Sequence, residues 1–189
     1  DDHSDIYVFT VDESKYYEFN IRSNPVLDGL SITCNIYDIH GNLIARQISN
    51  NIQLIVKLNA GERYHIEYWI RELFFEGSLT FEFFHRDDII YQDDYVSSIT
   101  DQNINLLKYG GIQIERWVYD QGWQYLGTTT FTQNETKDNI TLNNNTITLG
   151  TYNGKQIMTN RVIGLFKHRV TFDLNGGNQI YPSYKDVTY

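Results

Sequence analysis

The stretch Cys34–Tyr68 reads CNIYDIHGNLIARQ (34–47), then, after Ile48, SNNIQLIVKL (49–58) and NAGERYHIEY (59–68). Its first apolar run ends at Asp38-Ile39-His40-Gly41-Asn42, and polarity alternates outward from that turn. A second turn, Asn59-Ala60-Gly61-Glu62, leads into another alternating run. Period-two alternation marks a strand with one buried face. A tight hairpin loop needs a residue that accepts positive φ, a role open here to Gly41 or Asn42. The stretch therefore reads as consecutive antiparallel strands joined by tight turns.

The same grammar extends in both directions. Towards the N-terminus, Leu30, Ile32, Cys34 and Ile36 alternate with Ser31, Thr33 and Asn35, preceded by turn signals at Ser23-Asn24-Pro25 and Asp28-Gly29. Before these, Tyr16–Ile21 places Tyr17, Phe19 and Ile21 on one face, and Ile6–Val11 is a short strand pattern. After the hairpin come Leu43–Ile48, Gln53–Leu58, Tyr64–Ile70 and Ser78–Phe84. Short strands at a spacing of roughly 8–12 residues predict a sandwich of two antiparallel sheets.

Composition agrees. Of 189 residues, 41% are hydrophobic and 15% aromatic, with 15 Tyr against one Met and two Pro. β-Branched and aromatic side chains suit a pleated, half-buried surface, so the expected class is all-β. The net charge is −9 and no segment carries a basic excess, which argues against nucleic acid as a partner. No stretch approaches the ~20 apolar residues of a membrane span. Residues 1–20 lack the charged start and apolar centre of a signal peptide, so for an exported protein the leader would already be absent from this chain. Cys34 stands alone, which rules out an internal disulfide and reads as a small buried hydrophobe.

Tyr37-Asp38-x-x-Gly41-Asn42-Leu43, then Leu58-x-Ala60-Gly61-x-x-Tyr64-x-Ile66, then a Gly77-bearing loop into Leu79-x-Phe81, resembles the pre-peptidase C-terminal (PPC-like) β-sandwich family over about residues 6–85. The resemblance implies a non-catalytic module of a secreted bacterial enzyme or surface protein, in a family some of whose members bind calcium, collagen or sugars. The acidic run that precedes the hairpin strand in that family is replaced here by Asp28-Gly29-Leu30-Ser31-Ile32-Thr33-Cys34-Asn35, a departure that leaves only Asp28 and Asp38 as candidate oxygen ligands.

A composition shift at His85-Arg86-Asp87-Asp88 marks the expected boundary between a first domain, 1–86, and a second β-sandwich-like domain, 87–168. In the second, Ile89–Tyr91, Asn105–Tyr109, Ile112–Tyr119, Trp123–Thr132, Ile140–Leu142, Thr146–Tyr152 and Val162–Phe166 read as strands. Turns are expected at Gly110-Gly111, Asp120-Gln121-Gly122 and Asn153-Gly154. The last residues, 169–189, contain Arg169-Val170-Thr171-Phe172-Asp173-Leu174-Asn175-Gly176-Gly177, then Pro182, then Val187-Thr188-Tyr189. They resemble the opening of the B-repeat of bacterial internalins, a β-grasp-like module. That resemblance implies the head of a longer, repetitive surface protein, with this chain a monomeric piece of it.

Two groups of residues are candidate sites. Trp117, Tyr119, Trp123 and Tyr125 flank the turn at Asp120-Gln121-Gly122. Aromatic platforms stack on sugar rings, and Asp120, Gln121 and Gln124 offer hydrogen bonds to hydroxyls. Cross-strand aromatic pairs that stabilise a sheet by ~0.2–1 kcal/mol each are the structural alternative. Asp87, Asp88, Asp93 and Asp94 bracket Ile89–Gln92 and could converge on a hard cation, calcium, which wants several oxygens. The alternative there is a solvated linker.

His3, His40, His65, His85 and His168 are scattered without metal-motif spacing. There is no nucleophile elbow and no phosphate-cradling glycine loop. Asn134-Glu135-Thr136, Asn139-Ile140-Thr141 and Asn144-Asn145-Thr146 match the N-glycosylation pattern and also read as loop composition. These features favour a non-enzymatic, secreted or wall-attached bacterial module for adhesion or ligand binding, with a glycan or host surface protein as partner. An accessory carbohydrate-binding region of a larger hydrolase, or a purely structural stalk, are the alternatives.

Overall fold

The computed structural model describes residues 4–24, 30–70, 77–171 and 184–188. The protein is all-β, its strands paired antiparallel throughout and with no helix among the described residues. No helix there is long and apolar enough to cross a membrane. The chain divides into two compact units, Asp1–Asp87 and Asp88–Tyr189.

The first unit is built from β1 (Ser4–Thr10), β2 (Lys15–Asn24), β3 (Ile32–Asp38), β4 (Leu43–Ser49), β5 (Asn51–Leu58), β6 (Arg63–Ile70) and β7 (Ser78–Arg86). Its two sheets have the orders β1-β6-β3-β4 and β5-β2-β7. Alternation sends Phe19 and Ile21 of β2, Ile32, Cys34 and Ile36 of β3, Leu58 of β5, and Tyr64 and Ile66 of β6 into one core, each at most 2% exposed. Burial pushes the Cys34 thiol up to about 12, because a thiolate is disfavoured away from water. β1 and β7 are edge strands, and the apolar groove lined by Tyr7, Phe9, Phe19, Ile66, Phe81 and Phe83 has a volume of about 320 Å³.

The turns follow their chemistry. Gly41 takes φ +81°, and the Asp38 carboxylate accepts hydrogen bonds from the backbone N–H of His40 and Asn42 and from Asn42 Nδ2, at 2.7–2.8 Å. Those bonds, the Asn42 side chain foremost, hold the Asp38 carboxyl below its ordinary pKa. Gly61 takes φ +76° and its N–H donates to Val11 O, while Tyr64 Oη accepts from Asn59 N and donates to Glu62. The turn signals expected at Pro25 and Asp28-Gly29 lie outside the described residues.

The second unit contains β8 (Ile89–Val96), β9 (Ser98–Thr100), β10 (Gly111–Tyr119), β11 (Trp123–Phe131), β12 (Glu135–Lys137), β13 (Ile140–Asn143), β14 (Thr146–Leu149), β15 (Thr151–Tyr152), β16 (Lys155–Gln156), β17 (Thr159–Leu165), β18 (Lys167–Thr171) and β19 (Tyr184–Thr188). Four-stranded sheets of order β11-β10-β17-β8 and β12-β13-β14-β9 share a core that includes Ile112, Ile114, Phe131, Ile140, Ile147 and Val162. β15 with β16 and β18 with β19 form two further two-stranded sheets.

Several expectations for this unit change. Asn105–Tyr109 is a turn, not a strand: Asn105 Oδ1 accepts from Leu107 N, and Asn105 O accepts from Lys108 N and Tyr109 N. A short Asn side chain that bonds its own backbone two residues on competes with sheet pairing. Gly111 opens β10 instead of forming a turn. The run Thr146–Tyr152 breaks at Gly150, whose N–H donates to Asn139 O and where a Cβ would lie 2.8 Å from that oxygen. The short strands β9 and β12 were not expected. β18 pairs with β19, whereas Asn175-Gly176-Gly177 and Pro182 of the repeat-like segment lie outside the described residues.

Candidate functional site

The hairpin of β10 and β11 closes through Asp120-Gln121-Gly122, with Gln121 at φ +56° and Asp120 N–H donating to Gly122 O. Its register sets Trp117 opposite Tyr125 and Tyr119 opposite Trp123. All four rings therefore share one face, while Val118 between them turns into the core at 3% exposed. Leu126, the extra residue where the register shifts at Arg116/Trp117, ends this arrangement and lets polar pairs resume beyond it.

The rings form a connected group. Trp117 and Tyr125 lie 4.9 Å apart, tilted by 49°, and Tyr119 meets Trp123 edge-on at 5.4 Å and 73°. A fifth ring joins them: Tyr95 stacks on Trp123 at 3.5 Å and 12°, and meets Trp117 edge-on at 5.7 Å. Tyr95 arrives by a bulge. Gln92 pairs with Arg161 and Val96 with Thr159, so the three residues Asp93-Asp94-Tyr95 of β8 stand against one of β17, Asn160, an excess of two. Tyr119, Tyr125 and Trp123 remain 61%, 52% and 40% exposed, and Trp117 is half-buried beneath its neighbours.

Polar groups border the rings. Arg161 pairs with Glu115 at 3.5 Å and its Nε donates to Gln92 Oε1 at 3.2 Å. Lys155 and Asp120 form an ion pair at the hairpin tip, and Gln124 Nε2 donates to Asp120 O at 3.4 Å. Burial, and secondarily the charge of Glu115, hold the Tyr95 hydroxyl above its ordinary pKa, so this ring stays neutral. Exposed rings set within matched charges suit a neutral ligand that offers apolar C–H faces and hydroxyls.

The second candidate group is not gathered into a site. No set of three or more His, Cys, Asp or Glu side chains among the described residues could hold a metal ion. Asp87 pairs with Lys15 at 2.9 Å and with His85 at 3.1 Å, and the Lys15 contact leads in holding its carboxyl below the usual range. Asp93 accepts a hydrogen bond from Asp94 N. With Asp88 they belong to a turn and a bulged strand; Asp93 and Asp94 lie in the bulge that carries Tyr95. Asp38 is occupied by its own turn.

Tyr95 is the member of the aromatic group that sequence reasoning missed. Its neighbours Asp93 and Asp94 drew attention to charge, and only the irregular pairing of β8 with β17 brings it to Trp117 and Trp123. No family model, curated protein or solved structure matches the chain.

Proposed function

We propose that this chain is a non-catalytic module of a secreted or wall-attached bacterial protein, serving adhesion through glycan binding on its second unit. The observation that carries the reading is the five-ring group of Tyr95, Trp117, Tyr119, Trp123 and Tyr125, with Tyr119, Trp123 and Tyr125 open to solvent on one sheet face. Rings that only stabilised the sheet would gain by full burial, yet three of these are at least 40% exposed. Exposed, mutually braced aromatics lose little side-chain entropy on binding, which suits recognition. The PPC-like and B-repeat resemblances of the flanking segments support the surface-protein context.

A glycan array probed with the full chain tests the reading. Wild type is expected to bind a defined subset of glycans, and Trp123→Ala is expected to lose that binding by roughly 10- to 100-fold, the scale of removing one stacked ring worth about 1.5–3 kcal/mol. The thermal transition should fall by the loss of the ring contacts with Tyr95 and Tyr119, worth about 0.5–1.5 kcal/mol each, while unfolding stays cooperative. Binding to no glycan, or undiminished binding by Trp123→Ala, would sink the proposal.

A further inference from the structure

A second hollow in the same unit lies at the other end of the β10–β11 ladder. It has a volume of about 560 Å³, within the roughly 300–1,000 Å³ of small-molecule sites. Its polar lining is amide throughout: Gln102, Asn105, Asn134, Asn144 and Asn145, without a charged residue. Its apolar side is Ile104, Leu106 and Leu107.

The walls are fixed before any ligand arrives. Ile104 is 3% exposed and anchors one wall in the core; Asp101 Oδ1 accepts from Asn103 N and Nδ2, and Asp101 N donates to Asn145 O. On the other wall, Asn134 Nδ2 donates to Asn144 Oδ1 at 3.1 Å and Asn144 N donates back to Asn134 Oδ1 at 2.9 Å, with Asn144 held at φ +53°. These bonds engage Asn134 Nδ2 and Oδ1 and Asn144 Oδ1 in bracing. The side-chain amides of Gln102 and Asn145 make no hydrogen bond among the described residues. Leu107, at 95% exposed, is the most exposed large apolar side chain described and stands on this rim.

We infer that this hollow is a second ligand site of the unit, taking a neutral polyhydroxylated ring such as one unit of an uncharged oligosaccharide. An amide both donates and accepts, as a hydroxyl does, so an amide lining pairs hydroxyls without needing a charge. The absence of lining charge disfavours anionic and cationic ligands, whose desolvation would go uncompensated. Leu106 and Leu107 supply a surface for the ring's C–H face. The run of β10 from Gly111 to Trp117 separates this hollow from the aromatic group by about 20 Å at ~3.3 Å per residue, so one sugar unit cannot occupy both. A chain with two such sites would engage a polysaccharide bivalently, and its avidity would exceed either affinity.

Saturation-transfer NMR on the full chain separates the two sites, with cellotetraose, chitotetraose and mannotetraose as neutral probes and sialyllactose as the charged one. In Trp123→Ala, a neutral probe is expected still to receive saturation transfer, and the Gln102 and Asn145 side-chain amide resonances are expected to shift on titration. Adding Gln102→Ala and Leu107→Asp, both at exposed positions, should weaken that residual binding at least about tenfold, the scale of one hydrogen bond and one apolar contact. Loss of all transfer in Trp123→Ala alone would overturn the second site while leaving the aromatic site standing. Residual binding unmoved by the two substitutions, or restricted to sialyllactose, would also overturn it. Transfer to no probe from wild type would overturn both readings.

Discussion

Arg86→Ala is expected to lower the stability of the first unit by about 3–5 kcal/mol, the cost of leaving a buried charge unpaired. The charge is Glu18, 3% exposed on β2, the middle strand of the three-stranded sheet. Arg86 on β7 donates to its carboxylate from one side, and Gln53 Nε2 on β5 donates from the other at 2.9 Å. Alanine removes the charged one of these partners. Glu18→Leu with Arg86→Met should instead be neutral or stabilising, because a packed apolar pair needs no compensation. Chemical denaturation of the three chains at neutral pH distinguishes these outcomes; equal losses in both variants would show that packing, not charge, dominates.

The same carboxylate sets a pH dependence. Burial pulls the Glu18 pKa up, but the hydrogen bonds from Gln53 and Arg86 and the Arg86 charge outweigh it, so the folded value lies below the ordinary one. The unfolded chain then binds the proton more readily, and the pair's contribution is fully present above the ordinary glutamate pKa. It is lost as pH falls through the lowered folded value. Asp38 and Asp87 are held low as well and act in the same direction. Glu18→Gln is therefore expected to flatten the decline in unfolding midpoint between neutral pH and about pH 3, without abolishing it.

Gly164→Ala is expected to destabilise the second unit by about 3 kcal/mol, at the upper end of overpacking effects. A Cβ on Gly164 would lie 2.2 Å from Tyr109 Cε1, 2.3 Å from Cδ1 and 2.7 Å from Cζ. The ring cannot step aside: Tyr109 is 2% exposed, packed against Phe166 at 5.4 Å, with its backbone N–H bonded to Asn105 O. Tyr109→Leu on the Gly164→Ala background frees that volume, so the double variant should lose less than the sum of the two singles. Thermal unfolding followed by calorimetry checks both the loss and the rescue; strict additivity would mean that the two residues do not compete for space.

Much of this architecture was legible because its cause is local. Period-two alternation located β2, β3, β5, β6 and β10, and the Tyr17-Phe19-Ile21 face packs into the hydrophobic core. Gly41 and Asn153-Gly154 adopt the positive φ that tight turns require. What escaped has non-local causes. Alternation assigns Glu18 and Asn20 to solvent, yet both are buried, because β2 is flanked on either side by paired strands. Leu106 and Leu107 look like strand residues, but the Asn105 carbonyl and side chain capture the backbone around them. Of the aromatic site, the hairpin itself supplied four rings, and Tyr95 depended on a two-residue excess in a strand that is distant in sequence.

Cys34 gives the molecule a built-in clock. It is the one cysteine of the sequence, lies 0% exposed between its register partners Gln47 and Tyr68, and holds its proton tightly. A thiol reagent reacts with the thiolate of an accessible cysteine, so labelling must wait for the first unit to open. When reclosing outpaces reaction, the labelling rate reports the open population of that unit. No engineered probe is needed, and the second unit stays silent. Arg86→Ala should quicken the clock by roughly 10²–10⁴-fold, its expected loss of stability converted to a ratio of populations. A rate unmoved by Gly164→Ala would show that the two units open independently.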